Sequence, residues 1–152
     1  MTPAEEAVPA ERGLSYVVGV DGSEPSVDAL VWAIGRAAES GAGIRAVAMW
    51  HFPPLAVERP SLASRLHDRT EQALAAAVES AAGRVGDAAA GVEVSCEVYQ
   101  YPADLRLIDL SREADLVIVG RRSRRGLAAL GSVSERVASH AHCPVVVIPP
   151  GE

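Results

Sequence analysis

A chain of 152 residues is most simply one domain, and with 49% apolar but only 4% aromatic residues its core has to be built from Ala, Val, Leu and Ile. A net charge of -6 excludes a general nucleic-acid binder, which needs a broad positive field. No apolar run approaches the ~20 residues that a membrane-crossing helix requires.

The opening stretch, MTPAEEAVPAER, is acidic, contains proline and has no apolar h-region. Residues 1–13 therefore read as a disordered tail and not a signal peptide, with the folded domain over 14–150. The expected compartment is the cytoplasm, where cysteines stay reduced. Cys96 and Cys143 lack zinc-finger spacing and are expected to be small buried hydrophobes.

Tyr16 to Val20 (YVVGV) is a continuous apolar run, the pattern of a strand buried on both faces. Asp21-Gly22-Ser23 marks a turn, and Ser23 ahead of Glu24-Pro25 marks a helix start. Val27, Leu30, Val31, Ile34 and Ala38 recur at helical spacing until Gly41-Ala42-Gly43. Ile44 to Trp50 gives the second strand and closes a βαβ unit. His51 to Ser61 carries Pro53, Pro54 and Pro60, so it cannot be regular and suits a lid or site wall. Leu62, Leu66, Ala73, Leu74, Ala77 and Val78 mark a long helix ending near Gly83 to Gly91. Val92 to Val98 alternates strictly, which predicts an edge strand with one solvated face. Pro102 opens a short helix with Leu105 and Ile108 on the expected inward face and Asp104 and Asp109 outside it. Leu116 to Val119 is the fourth apolar run. It breaks at Gly120 into a loop carrying Arg121, Arg122, Arg124 and Arg125. A helical pattern starts at Gly131-Ser132 and stops at His142-Cys143-Pro144, followed by the last run, Val145 to Ile148.

This β-α-β-α-β-α-β-α-β alternation predicts a single doubly wound α/β domain: a five-stranded parallel sheet with helices on both faces and right-handed crossovers. If the strand order is 3-2-1-4-5, a ligand crevice opens beyond the carboxyl ends of strands 1 and 4, which end in Asp21 and Gly120. Asp21 has two readings of equal standing, a turn residue that caps its own backbone or an acidic contact to a ribose or base. Ser132-Val133-Ser134-Glu135 fits a capping box, worth about 1 kcal/mol, and the same helix start favours a phosphate. Four arginines in five positions suit bidentate phosphate contacts, or equally the acids of a partner subunit. His140, His142 and Cys143 sit at a helix end with no second ligand cluster, so no metal is assigned to them. The chain lacks a G-x-x-x-x-G-K-[ST] loop, a G-x-G-x-x-G after strand 1 and a G-x-S-x-G elbow. Those absences exclude a P-loop protein, a dinucleotide Rossmann domain and a serine hydrolase of the elbow type.

From Tyr16 to Pro149 the chain resembles the universal stress protein family, on VGVDGSEPS at strand 1, EADLVIVG at strand 4 and GSVSERVASHAHCPVVVIP at the end. The resemblance implies a stress-response protein that binds ATP, with Mg²⁺ accompanying it, and dimerises. Its nucleotide-binding members carry Gly-x2-Gly-x9-Gly-Ser/Thr. Gly120 matches the first glycine and Gly131-Ser132 the last pair, whereas Ser123 replaces the second and only seven residues separate it from Gly131. A non-glycine residue in a left-handed conformation costs about 1–2 kcal/mol, roughly tenfold in affinity. The two missing residues span up to about 7 Å of chain, the scale of a phosphate with its contacts. A rearranged loop is the expectation, with Gly126 restoring flexibility and the arginines taking over from lost main-chain donors. Residue by residue, the resemblance maps the acidic contact to Asp21 and base packing to Ala48 and Met49. Phosphate contacts map to Gly120, Gly131, Ser132 and Val133, and Arg121 and Gly126 join the candidate nucleotide site from the altered loop itself.

The alternative function is a dimeric interaction or regulatory module without nucleotide, its arginine loop contacting a partner protein. ATP hydrolysis would have no identifiable general base beyond Asp21. Val145 to Ile148 would form an apolar edge strand, an aggregation hazard unless covered, so edge physics and the resemblance both predict a homodimer through it. No nucleic-acid or membrane partner is expected. With strands 3 and 5 on opposite edges, Cys96 and Cys143 cannot bridge within one chain.

Overall fold

A computed structural model describes residues 13–51, 59–100, 102–121 and 132–150. Strands β1 (Ser15–Gly19), β2 (Gly43–Trp50), β3 (Val94–Gln100), β4 (Leu116–Gly120) and β5 (Val145–Ile148) form one parallel sheet in the order β3-β2-β1-β4-β5. Helices α1 (Glu24–Ser40), α2 (Pro60–Val85), α3 (Ala103–Leu110) and α4 (Ser132–His140) intervene. The predicted topology is the observed one. Among the described residues, no helix is long and apolar enough to cross a membrane.

Side-chain alternation along the strands splits the core in two. Tyr16, Val18, Ile44, Ala46 and Ile118 face α1 and α2, where they meet Leu30, Ile34 and Leu74. Val17, Val47, Val117 and Val119 face α3 and α4, where they meet Leu107, Leu110 and Val137. Helices therefore cover both faces, and the central strands read as unbroken apolar runs because neither of their faces meets water. Ala29, Ala33 and Ala37 are buried along α1. With so few aromatic residues in the chain, small side chains let this helix lie close on the sheet. Its ends follow the sequence signals. Ser23 caps the start by accepting from Ser26 N at 3.4 Å, and Gly41, at φ 82°, donates to Ala37 O at 2.8 Å.

Three expectations are corrected. The inward face of α3 is Leu107 and Leu110, with Ile108 half-buried and Leu105 exposed. Leu107 prevails because it reaches over Gly19, where a Cβ would lie 2.9 Å from Leu107 Cδ1. Second, Cys96 is exposed and Cys143 half-buried. Cys96 lies on the edge strand β3 and Cys143 in the turn that leads into the opposite edge strand β5, where helices cover the sheet incompletely; both are free thiols. Third, the polar face of β3 is not simply solvated. Arg45 Nε and Nη2 donate to the two carboxylate oxygens of Glu97 at 2.7 and 2.8 Å, and Tyr99 Oη also donates to Glu97. The Arg45 guanidinium, together with the other donors, holds the Glu97 carboxyl below the usual carboxylate range. The edge strand is thus tied to β2 by a fork of charged hydrogen bonds as well as by its backbone ladder.

Candidate functional site

β1 pairs with both β2 and β4. The chain leaves β1 for α1 on one face and β4 for α4 on the other, so a crevice opens between their carboxyl ends. The two ends are brought very close. A Cβ on Gly120 would stand 2.5 Å from both the carbonyl carbon and the oxygen of Pro25, in the first turn of α1. Glycine is needed there for space, since no side chain fits between β4 and the helix backbone.

Across the crevice, Asp21-Gly22-Ser23 forms a tight turn around Gly22, which sits at φ 84°. Asp21 Oδ1 accepts from Ser23 N at 2.9 Å and from Ser23 Oγ at 2.5 Å. Ser26 Oγ donates back to Ser23 O at 2.8 Å. The capping reading of Asp21 is therefore correct as far as it goes. The same carboxylate also stands in the wall of two adjoining cavities.

The first cavity, about 300 Å³, is bounded by Asp21, Met49, His51, Leu107, Gly120 and Val133, with Ser134 beside them. That volume is at the lower end of ligand-pocket sizes. The second, about 190 Å³, is bounded by Asp21, Ala48, Met49, Arg69, Thr70 and Leu74. Val20, Asp21 and Met49 line both.

The structure thus brings Asp21, Ala48, Met49, Gly120 and Val133 together around one pair of cavities. Arg121 lines neither. Its N–H donates to Ile148 O at 2.8 Å, and its buried Nε has no hydrogen-bond partner among the described residues. Ser132 opens α4, but its side chain, Gly126, Gly131 and the arginines at 122, 124 and 125 lie outside the described residues, and the predicted capping box with them. His51 stands where the sequence placed a lid or site wall, and residues 52–58 of that stretch lie outside the described residues. Ser134, Arg69 and Thr70 were missed from the sequence. They belong to helices whose placement over the crevice is tertiary information.

Ser134 is 3% exposed, and its Oγ has no hydrogen-bond partner among the described residues. It sits in the first turn of α4, where backbone N–H groups are left without helical acceptors. At the other end of α4, His140 Nδ1 lies 3.1 Å from Arg136 O. Among the described residues the group able to offer three metal-ligand atoms together is His67, Asp68 and Glu71 on α2, away from His140, His142 and Cys143.

The model of the universal stress protein family matches residues 16–149. The chain belongs to the universal stress protein family. It is 32% identical to universal stress protein Rv1996 of Mycobacterium tuberculosis over 91% of this chain, but it spans only about half, 49%, of that relative's length. The fold matches that of UspA from Lactobacillus plantarum with a TM-score of 0.70, at 24% identity over 90% of this chain and 98% of that one. A universal stress protein crystallised in complex with cAMP matches with a TM-score of 0.64, at 25% identity over 90% of this chain and 97% of that one.

Proposed function

We propose that the crevice between β1 and β4 binds an adenine nucleotide, with ATP as the physiological ligand the site is built to take. The observation that carries this reading is the meeting of Asp21 and the first turn of α4 across one cavity at the strand-order reversal. A carboxylate suits ribose hydroxyls, which donate to it, and a helix start suits phosphate oxygens, which accept from its N–H groups. The buried Ser134 hydroxyl fits the same arrangement, because a polar ligand would relieve a group whose isolation costs about 1–3 kcal/mol. The relative solved with cAMP supports an adenine nucleotide in particular. Mg²⁺ is usually held by one or two carboxylates plus phosphate oxygens. Asp21, the acidic residue in both linings, fits an ion brought in with the phosphates.

Calorimetric titration with AMP and ATP tests the proposal. Binding is expected in the wild type, and Asp21→Ala should weaken it roughly 10- to 100-fold, the effect of losing hydrogen bonds to a charged group. No heat at millimolar nucleotide would refute it and leave the interaction module as the better reading.

The proposed assembly is a homodimer joined along β5. Every residue of β5 is half-buried and the strand lies at the sheet edge, so among the described residues its outer backbone groups meet no further strand. Covering such an edge removes an aggregation hazard. Val146→Lys should shift the protein from dimer to monomer in sedimentation analysis, and an unchanged dimer would rule out pairing through β5.

A further inference from the structure

α2 is longer than the sheet needs. Its 26 residues extend about 39 Å, whereas the eight residues of β2 extend about 26 Å. The chain leaves β2 at the carboxyl edge and returns along α2 to start β3 at the amino edge, so the excess length lies at the start of the helix. The burial pattern agrees: Leu74, Ala77 and Ala81 are buried, and no residue before Leu74 is. The first half of α2 therefore projects past the carboxyl edge of the sheet. It is steadied there by Trp50 at the end of β2, whose ring meets His67 edge-on with centroids 6.2 Å apart.

This overhang forms the outer wall of the second cavity, where Arg69 and Thr70 stand opposite Asp21, Ala48 and Met49. The Thr70 hydroxyl is committed to Leu66 O at 2.8 Å. Arg69 has no ion-pair partner among the described residues. If phosphate lies at α4 in the first cavity and ribose at Asp21 on the boundary, the base falls into the second. Its 190 Å³ corresponds to the liquid volume of about six waters, the scale of one heterocycle.

We infer that Arg69 is a specificity-determining residue that reads the ring-nitrogen acceptors of a purine seated against Ala48 and Met49. The inference rests on the nucleotide reading above. An arginine has five donors and no acceptor, so it favours an acceptor-bearing base edge and its plane can lie along the heterocycle. It adds nothing for a ligand without a base.

The test compares AMP with ribose 5-phosphate by calorimetry on the wild type, Arg69→Ala, Arg69→Lys and Asp21→Ala. Arg69 is exposed, so its variants should fold normally, which a thermal melt checks. Arg69→Ala is expected to weaken AMP about tenfold and leave ribose 5-phosphate unchanged, with Arg69→Lys in between because it keeps the charge but loses the planar fork. Equal weakening of both ligands would mean general electrostatic attraction and overturn the base-reading role. AMP affinity unchanged in Arg69→Ala but reduced in Asp21→Ala would overturn it while the nucleotide site stands. Failure of the wild type to bind either ligand would overturn both proposals.

Discussion

Gly120→Val is expected to lower the melting temperature by about 2 to 12 °C, or to prevent folding outright. Its Cβ would lie 2.5 Å from the carbonyl carbon and oxygen of Pro25. Those are backbone atoms in the first turn of a helix whose buried face carries Leu30 and Ile34, so they cannot swing aside as a flexible side chain would. Either α1 tilts away from the sheet or the end of β4 shifts, and both disturb the central part of the core. Overpacking of this kind costs typically about 1–3 kcal/mol, and each kcal/mol shifts the melting temperature of a chain this size by about 2–4 °C. The same displacement would move Gly120 relative to Asp21 and deform the first cavity, so nucleotide affinity should fall with stability. A calorimetric melt matching the wild type would show that β4 and α1 are not in the close contact described.

Gly120 also shows why much of this fold could be read from the chain. It ends an apolar run that is unbroken because β4 is buried on both sides, and it lies where the run gives way to charged residues. Asp21 at the end of β1 and Val133 at the start of α4 sit at similar changes of pattern. Local chemistry marks all three, and strand order places them together. The inward face of α3 was not legible in the same way. An eight-residue helix has little more than two turns, so Leu105 and Ile108 matched helical spacing as well as Leu107 and Leu110 did. The choice depended on Gly19, which leaves room on the sheet for Leu107 and lies far away in sequence. Arg45 and Glu97 were hidden for a related reason. Their fork depends on the register of β2 against β3, in which Arg45 lies opposite Ser95 and Val47 opposite Glu97. Arg69 was illegible because helix length relative to strand length, not residue pattern, puts it over the crevice.

Leu107→Ala should separate the scaffold from the site. Leu107 is 1% exposed, packs with Val17, Val47 and Val117, and forms part of the floor of the first cavity. Truncating a buried leucine costs about 2–5 kcal/mol, because lost contacts and a residual void add together. The melting temperature should therefore fall by roughly 4 to 20 °C. Nucleotide affinity should change by less than about tenfold at a temperature where the variant is folded, since an apolar floor group makes no hydrogen bond to ribose or phosphate. Asp21→Ala should give the opposite result, with a large loss of affinity and a small change in melting. Its exposed turn contributes hydrogen bonds of about 1 kcal/mol each and no core volume. If Leu107→Ala melts like the wild type, Leu107 does not fill the space between α3 and the sheet. If it abolishes binding while folded, the floor of the cavity recognises the ligand directly, and the assignment of recognition to Asp21 and α4 is wrong.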